Sequence, residues 1–205
     1  MQNPPLRRPA HGVVRTAAAL FFAVGTLSGC VAAPAPSNTA EPVAVATAAP
    51  TEAPPVFASN DEALAAAKAS YSAYTEGSNQ FAASPEATNG SNVFSELVSQ
   101  RYLPDVTASL NSFAESKQVG RGAITFDTVS LMSFSEPSPG HVEVSLYLCA
   151  DVSTLRIIDE AGVDITATDR SERTPTQVGF VSSDKDASKL LVDREETWTG
   201  RNFCG

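Results

Sequence analysis

Chemistry-bearing residues are scarce in this chain. Its 205 residues include two histidines, three cysteines, two methionines and one tryptophan. There is no glycine-rich phosphate loop, no nucleophile elbow and no zinc motif. No apolar run reaches the ~20 residues that a membrane-crossing helix needs. Cations are also few, with 14 lysines and arginines against 23 aspartates and glutamates. A chain so acidic is a poor nucleic-acid binder, because such binding needs cations to neutralise phosphates. The same charge makes it a poor peripheral binder of anionic lipid heads. No cofactor and no metal are expected.

The N-terminus has the tripartite form of an export signal. Arg7, Arg8 and Arg15 make a basic region without any acid, and Thr16 to Leu27 is apolar. Leu27-Ser28-Gly29-Cys30 follows. This resembles the lipobox of bacterial lipoproteins, an aliphatic residue and two small ones before a cysteine. Small residues suit the cleavage pocket, and the Cys30 thiol would receive the diacylglyceryl group. The resemblance implies a signal peptide over 1–29, lipidation of Cys30 and attachment to the outer face of the cytoplasmic membrane. Two or more acyl chains are needed for stable anchoring, and lipoprotein processing attaches at least two. Ordinary secretion and an uncleaved anchor are the competing readings. Loss of residues 1–29 with their three arginines would take the formal charge from −9 to −12.

Residues 30–58 are rich in alanine, proline and threonine, with prolines at 34, 36, 42, 50, 54 and 55. Such a composition buries too little apolar surface to fold, and its prolines keep it extended. It reads as a disordered tether, either bare or carrying sugars on Thr39, Thr47 and Thr51.

The folded domain is expected over 59–205. Ser59-Asn60-Asp61-Glu62 has capping-box form. Leu64, Ala67, Tyr71 and Tyr74 then recur at helical spacing, which predicts a helix to about Thr75. Gly77 to Gly90 reads as a loop. Second and third helices are predicted over Asn92–Arg101 and from Pro104 to just before Gly120. From Gly122 the period becomes 2. Ile124-Thr125-Phe126 and Val129-Ser130-Leu131 alternate in opposite phases, which predicts a β-bulge near Asp127-Thr128. A turn at Pro137–Gly140 precedes a strand with Val142, Val144, Leu146 and Leu148 on one face. A short strand at Thr154–Ile158 and a hairpin of Gln177–Ser182 with Leu190–Trp198 complete the pattern. Helices first and strands after is the order of an α+β domain with helices packed on one face of an antiparallel sheet.

With Cys30 assigned to lipid, Cys149 and Cys204 remain. In an exported chain they read most simply as a disulfide pinning the C-terminus to the sheet. Free thiols and a metal pair are the alternatives, and neither has CxxC spacing or nearby histidines. Other candidates read as structural. His141 follows the Pro137–Gly140 turn, where a side chain is exposed. Asp151 lies near a strand end, and Asp159, Glu160 and Asp164 surround a glycine turn without calcium-loop spacing. Trp198 reads as packing beside the disulfide.

The helix-rich first half, the bent strand, the run Tyr147-Leu148-Cys149-Ala150-Asp151-Val152-Ser153 and the ending Thr197-Trp198-Thr199-Gly200-Arg201-Asn202-Phe203-Cys204 together resemble small Gram-positive lipoproteins with a nuclear-transport-factor-2-like (SnoaL-like) cone. The resemblance covers about residues 60–205. It implies a curved sheet wrapped around the helices and a cavity at the wide end. Tyr71 and Tyr74 would line that cavity by their hydroxyls, although core packing with an exposed tip is the usual outcome. Asp127, at the bulge, would be re-aimed into the site or else be a solvated carboxylate. Three functions follow from this reading. The first is a non-catalytic surface domain binding an unknown protein or small molecule, with homodimerisation through an exposed sheet face as one form. The second is a carrier of an apolar ligand, and the third an isomerase or dehydratase.

Overall fold

Ser59 caps the first helix as its capping box predicts. Its hydroxyl accepts from the Glu62 amide at 3.2 Å, and the Glu62 carboxylate accepts from the Ala58 amide at 2.7 Å. The structure is a computed structural model and describes residues 53–88 and 90–205. The predicted signal peptide, the lipobox Leu27-Ser28-Gly29-Cys30 and most of the predicted tether lie outside the described residues. Packing reaches back ahead of Ser59. Phe57 is buried with its ring edge-on to Phe134, 6.1 Å between centroids, and the Val56 amide donates to Glu136 at 3.0 Å.

Helix α1 runs over Asn60–Ala83, beyond the expected end at Thr75. Tertiary contacts carry it through the polar stretch. Gly77 is buried where a Cβ would stand 3.1 Å from Leu97, so a larger residue there would crowd the neighbouring segment. The Asn79 side chain then pairs both backbone groups of Ile124, at 2.8 and 3.0 Å. Phe81 buries against Phe113. Local composition favoured a loop, and these partners, distant in sequence, override it.

The expected helix Asn92–Arg101 is shorter. Helix α2 spans Gly90–Phe94, and the chain then leaves helical geometry. Its backbone at 97–99 is used otherwise: Val192 donates to Leu97 at 3.0 Å and Ser99 donates to Val192 at 2.8 Å. Sheet-like pairing with a strand has replaced further helical turns. Helix α3, Leu103–Glu115, has Pro104 in its first turn, where a missing N–H is no loss.

Strands β2 (Thr125–Ser138), β3 (His141–Asp151), β5 (Arg173–Ser183) and β6 (Asp186–Thr197) form a four-stranded antiparallel sheet in the order β2-β3-β5-β6. Strands β1 (Val119–Arg121) and β4 (Arg156–Ile158) pair separately. The sequence pattern marked β4 within Thr154–Ile158 but not β1. The bulge stands where the phase switch predicts it: the β2–β3 register shifts between Asp127 and Ser130, and Thr128 takes φ 51°. Val142, Val144, Leu146 and Leu148 are buried under α1, joined by Val178 and Phe180 of β5. Among the described residues, no helix is long and apolar enough to cross a membrane.

Candidate functional site

Glu195 enters the helix-facing side of the sheet through an irregularity in β6. Gly179 pairs with Arg194 but Phe180 pairs with Val192, so β6 contributes one extra residue, Asp193. That insertion reverses the strand's alternation. Glu195 then stands opposite the buried Val178 rather than on the outer face.

Helix α1 supplies the tyrosines that receive it. The Tyr71 hydroxyl donates to Glu195 Oε1 at 2.8 Å, and the Tyr74 ring lies beside that of Tyr71, 5.9 Å between centroids. Tyr71 packs edge-on to Phe126 at 4.9 Å, and Tyr74 edge-on to Phe94 at 5.6 Å. Burial raises the Glu195 carboxyl above its ordinary value, and hydrogen bonds from Tyr71 and Tyr74 offset this in part. Burial, followed by the charge of Glu195, raises the hydroxyls of Tyr71 and Tyr74 as well. These tyrosines therefore stay protonated and act as donors.

A cavity of about 120 Å³ opens beside this cluster. Tyr74, Phe94 and Tyr102 provide aromatic walls, while Ser78, Asp105 and Ser109 add polar groups.

Asp127 lies elsewhere. Its neighbour Phe126 faces Tyr71, so strand alternation turns Asp127 to the other side, where it is exposed. There Arg173 ties three segments together. Its Nη2 donates to Asp127 at 2.7 and 2.9 Å, its Nη1 to Asp151 at 2.8 Å, and its Nε to the Cys204 carbonyl at 3.0 Å. The hydrogen bond from Arg173, then that from Thr128, holds the Asp127 carboxyl below its ordinary value. The structure thus brings Tyr71 and Tyr74 together and separates them from Asp127, which clasps the bulge to the C-terminus.

Cys149 and Cys204 are both buried, at disulfide distance, with their Cα atoms 5.5 Å apart. Tyr147 packs edge-on against Trp198 and Phe203 over the same region, at 5.0 and 5.9 Å. His141 is exposed at its strand start, with Nε2 3.8 Å from Glu143. Asp159 caps its glycine turn by accepting from the Val163 amide at 2.8 Å. Among the described residues, no group of three or more histidines, cysteines or acids is placed to hold a metal ion.

Two acids drawn out of solvent, one buried and one half-buried, escaped the sequence reading. Asp193, the extra residue of β6, accepts from Ser99 Oγ at 2.6 Å and from the Arg101 guanidinium. Glu195 is the other. The run Asp193-Arg194-Glu195-Glu196 was the available signal, since unbroken alternation from Leu190 and Val192 would aim Arg194 and Glu196 at the core.

No protein-family model matches the chain, and no curated protein matches it. Among solved structures it is similar to the intermembrane-space region of the chloroplast protein ARC6, with a TM-score of 0.48 and 14% identity, over 65% of this chain and 95% of that one. It is also similar to a periplasmic fragment of TraM, with a TM-score of 0.45 and 12% identity, over 69% of this chain and 98% of that one. At those scores neither likeness carries an argument about function.

Proposed function

We propose that this protein is a lipoprotein, anchored through Cys30 to the outer face of the cytoplasmic membrane, whose α+β domain is a non-catalytic binding module. The lipobox Leu27-Ser28-Gly29-Cys30 supports the anchor. The order of elements and the bulged β2 support membership of the nuclear-transport-factor-2-like cone family. One observation favours a binding module over a carrier of apolar ligands: the helix-facing side of the sheet is filled. Phe94, Phe180, Leu146 and Leu148 pack there with at most 2% of their surface exposed, and the adjoining cavity holds about 120 Å³. Pockets that enclose ligands of drug size run from roughly 300 to 1,000 Å³, and a lipid chain needs no less. The enzyme reading is weaker for a different reason. Asp127, Asp151 and Glu195 are engaged with Arg173, Arg173 and Tyr71 respectively, so each acid is occupied by a structural partner.

Native mass spectrometry of the protein purified from membranes tests this reading. The expected spectrum shows the chain with its covalent acyl groups and no further mass. A stoichiometric non-covalent lipid would overturn the binding-module reading in favour of a carrier.

A further inference from the structure

We infer that the outer face of the sheet binds a carboxylate, held by Arg194 and Ser145 in a groove across strands β3, β5 and β6. This rests on the binding-module reading and names the chemistry of what is bound. The helix-facing side is filled, which leaves the opposite face for a ligand.

The first argument is the floor of the groove. Ser145 of β3 pairs with Gly179 of β5, and Gly179 pairs with Arg194 of β6. Val144, Leu146, Val178 and Phe180 face the helices, so alternation turns Ser145 and Gly179 outward. Two small residues side by side lower the sheet surface there. The groove holds about 370 Å³, with Arg101, Glu143, Val181 and Asp193 around it. It shares no residue with the cavity beside Tyr74.

The second argument is Arg194. The missing side chain of Gly179 lets Arg194 lie down along the floor. A Cβ at that position would stand 2.9 Å from both Cγ and Nε of Arg194. The guanidinium is thus placed over the groove instead of reaching away from it. Among the described residues, the arginines that meet carboxylates are Arg101, Arg156 and Arg173. Arg194 is not one of them, and its side chain makes no hydrogen bond among the described residues. A guanidinium carries five N–H donors and no acceptor.

The third argument is Ser145. It is 9% exposed, and hydroxyls so buried are nearly always hydrogen-bonded. The Ser145 hydroxyl has no partner among the described residues. Among those residues, no fully sealed side-chain oxygen or nitrogen lacks a partner. The Ser145 oxygen is therefore not sealed, and it opens into the groove that it lines.

The fourth argument is the sign of the ligand. A guanidinium and a hydroxyl both offer hydrogens, so what binds between them must accept. A carboxylate presents two oxygens in one plane and takes two parallel hydrogen bonds from a guanidinium. Of the two acids at the groove, Asp193 is neutralised by Arg101, and Glu143 stands 3.8 Å from His141. One carboxylate charge balances Arg194. The second charge of a phosphate would face Glu143 without a cation to offset it.

An NMR titration of the full chain with sodium N-acetylglycinate tests this. N-acetylglycinamide is the neutral isostere, and sodium chloride at matched ionic strength is the salt control. The Arg194 Nε–H signal and the amides of Ser145 and Gly179 are expected to shift saturably with N-acetylglycinate and not with the two controls. Arg194→Gln should weaken binding about tenfold, the effect of losing a charged hydrogen-bond partner. Arg194→Lys keeps the charge without the planar fork and should weaken it as well. Ser145→Ala should weaken it about fivefold. A second arm uses sodium propionate and sodium phosphate. Tighter binding of N-acetylglycinate than of propionate supports the inference and identifies a peptide C-terminus as the source. Equal or tighter binding of propionate supports it with a small free acid as the source. Tighter binding of phosphate, equal binding of the neutral amide, wild-type binding in Arg194→Gln, or no saturable shift would overturn it. Groove signals that move with protein concentration alone would also overturn it, because a second copy would then cover this face. Such failure with a lipid-free protein leaves the binding-module reading intact, whereas a co-purifying lipid defeats that reading itself.

Discussion

Tyr71 and Glu195 are 124 residues apart in sequence, yet the hydroxyl of one donates to the carboxylate of the other at 2.8 Å. This bond joins α1 to the last strand across the core. Its loss leaves a desolvated carboxylate short of a donor. Tyr71→Phe should therefore destabilise the domain by about 1–3 kcal/mol, the cost of an unmet buried hydrogen bond. Urea midpoints at constant slope are the measurement. A change within error would show that water or Tyr74 replaces the lost donor.

Glu195 also sets a pH dependence. Burial lifts its folded pKa above the ordinary glutamate value of about 4.3. The folded state then binds a proton more tightly than the unfolded state. Its stabilising effect is complete below the unfolded value and is lost as pH rises through the folded one. Glu195→Gln is held uncharged, so its stability should lack this decline and gain on the wild type as pH rises above about 4.3. Urea midpoints of the two proteins across that range provide the comparison. Parallel curves would contradict the assignment.

Arg173 works in the opposite direction on Asp127. The guanidinium holds that carboxyl below its ordinary value. The associated stabilisation is present above the unfolded value of about 3.9 and is lost as pH falls through the folded one. Arg173→Gln should return the Asp127 titration toward the ordinary aspartate range while leaving Glu195 raised. Carboxyl NMR titration reads both groups at once. An unmoved Asp127 would assign its shift to Thr128 instead.

The pairing of Cys149 with Cys204 closes a loop of 55 residues, and the chain-entropy relation gives about 4 kcal/mol for a loop of that length before native strain is subtracted. Reduction should lower stability by up to that amount and loosen the tail that carries Phe203 against Tyr147. Intact mass before and after reduction, with thiol alkylation, checks the linkage. Alkylation of both cysteines without reductant would refute it.

What the sequence disclosed and what it hid have physical explanations. The bulge at Asp127-Thr128 was legible because apolar residues flank it on both sides, so the phase switch shows in Phe126, Val129 and Leu131. The bulge at Asp193 was not, because charged residues follow it and no apolar residue reports the new phase. The spacing of Tyr71 and Tyr74 revealed one helical face, but their partner Glu195 depends on that hidden bulge. Asp127 was correctly placed at an irregularity, yet only the cation on β5 decides which way its carboxylate is engaged. The extension of α1 past Gly77 was hidden for a related reason. Asn79 and Phe81 are helical because Ile124 and Phe113 receive them, and no local pattern records that.

The proposed anchor on Cys30 is the feature on which the proposed placement of the whole molecule depends. Growth with labelled palmitate, comparing the wild type with Cys30→Ala, measures it directly. The account predicts label on the wild-type protein in the membrane fraction and none on the variant. Equal labelling of both, or an unlabelled wild type, would contradict it.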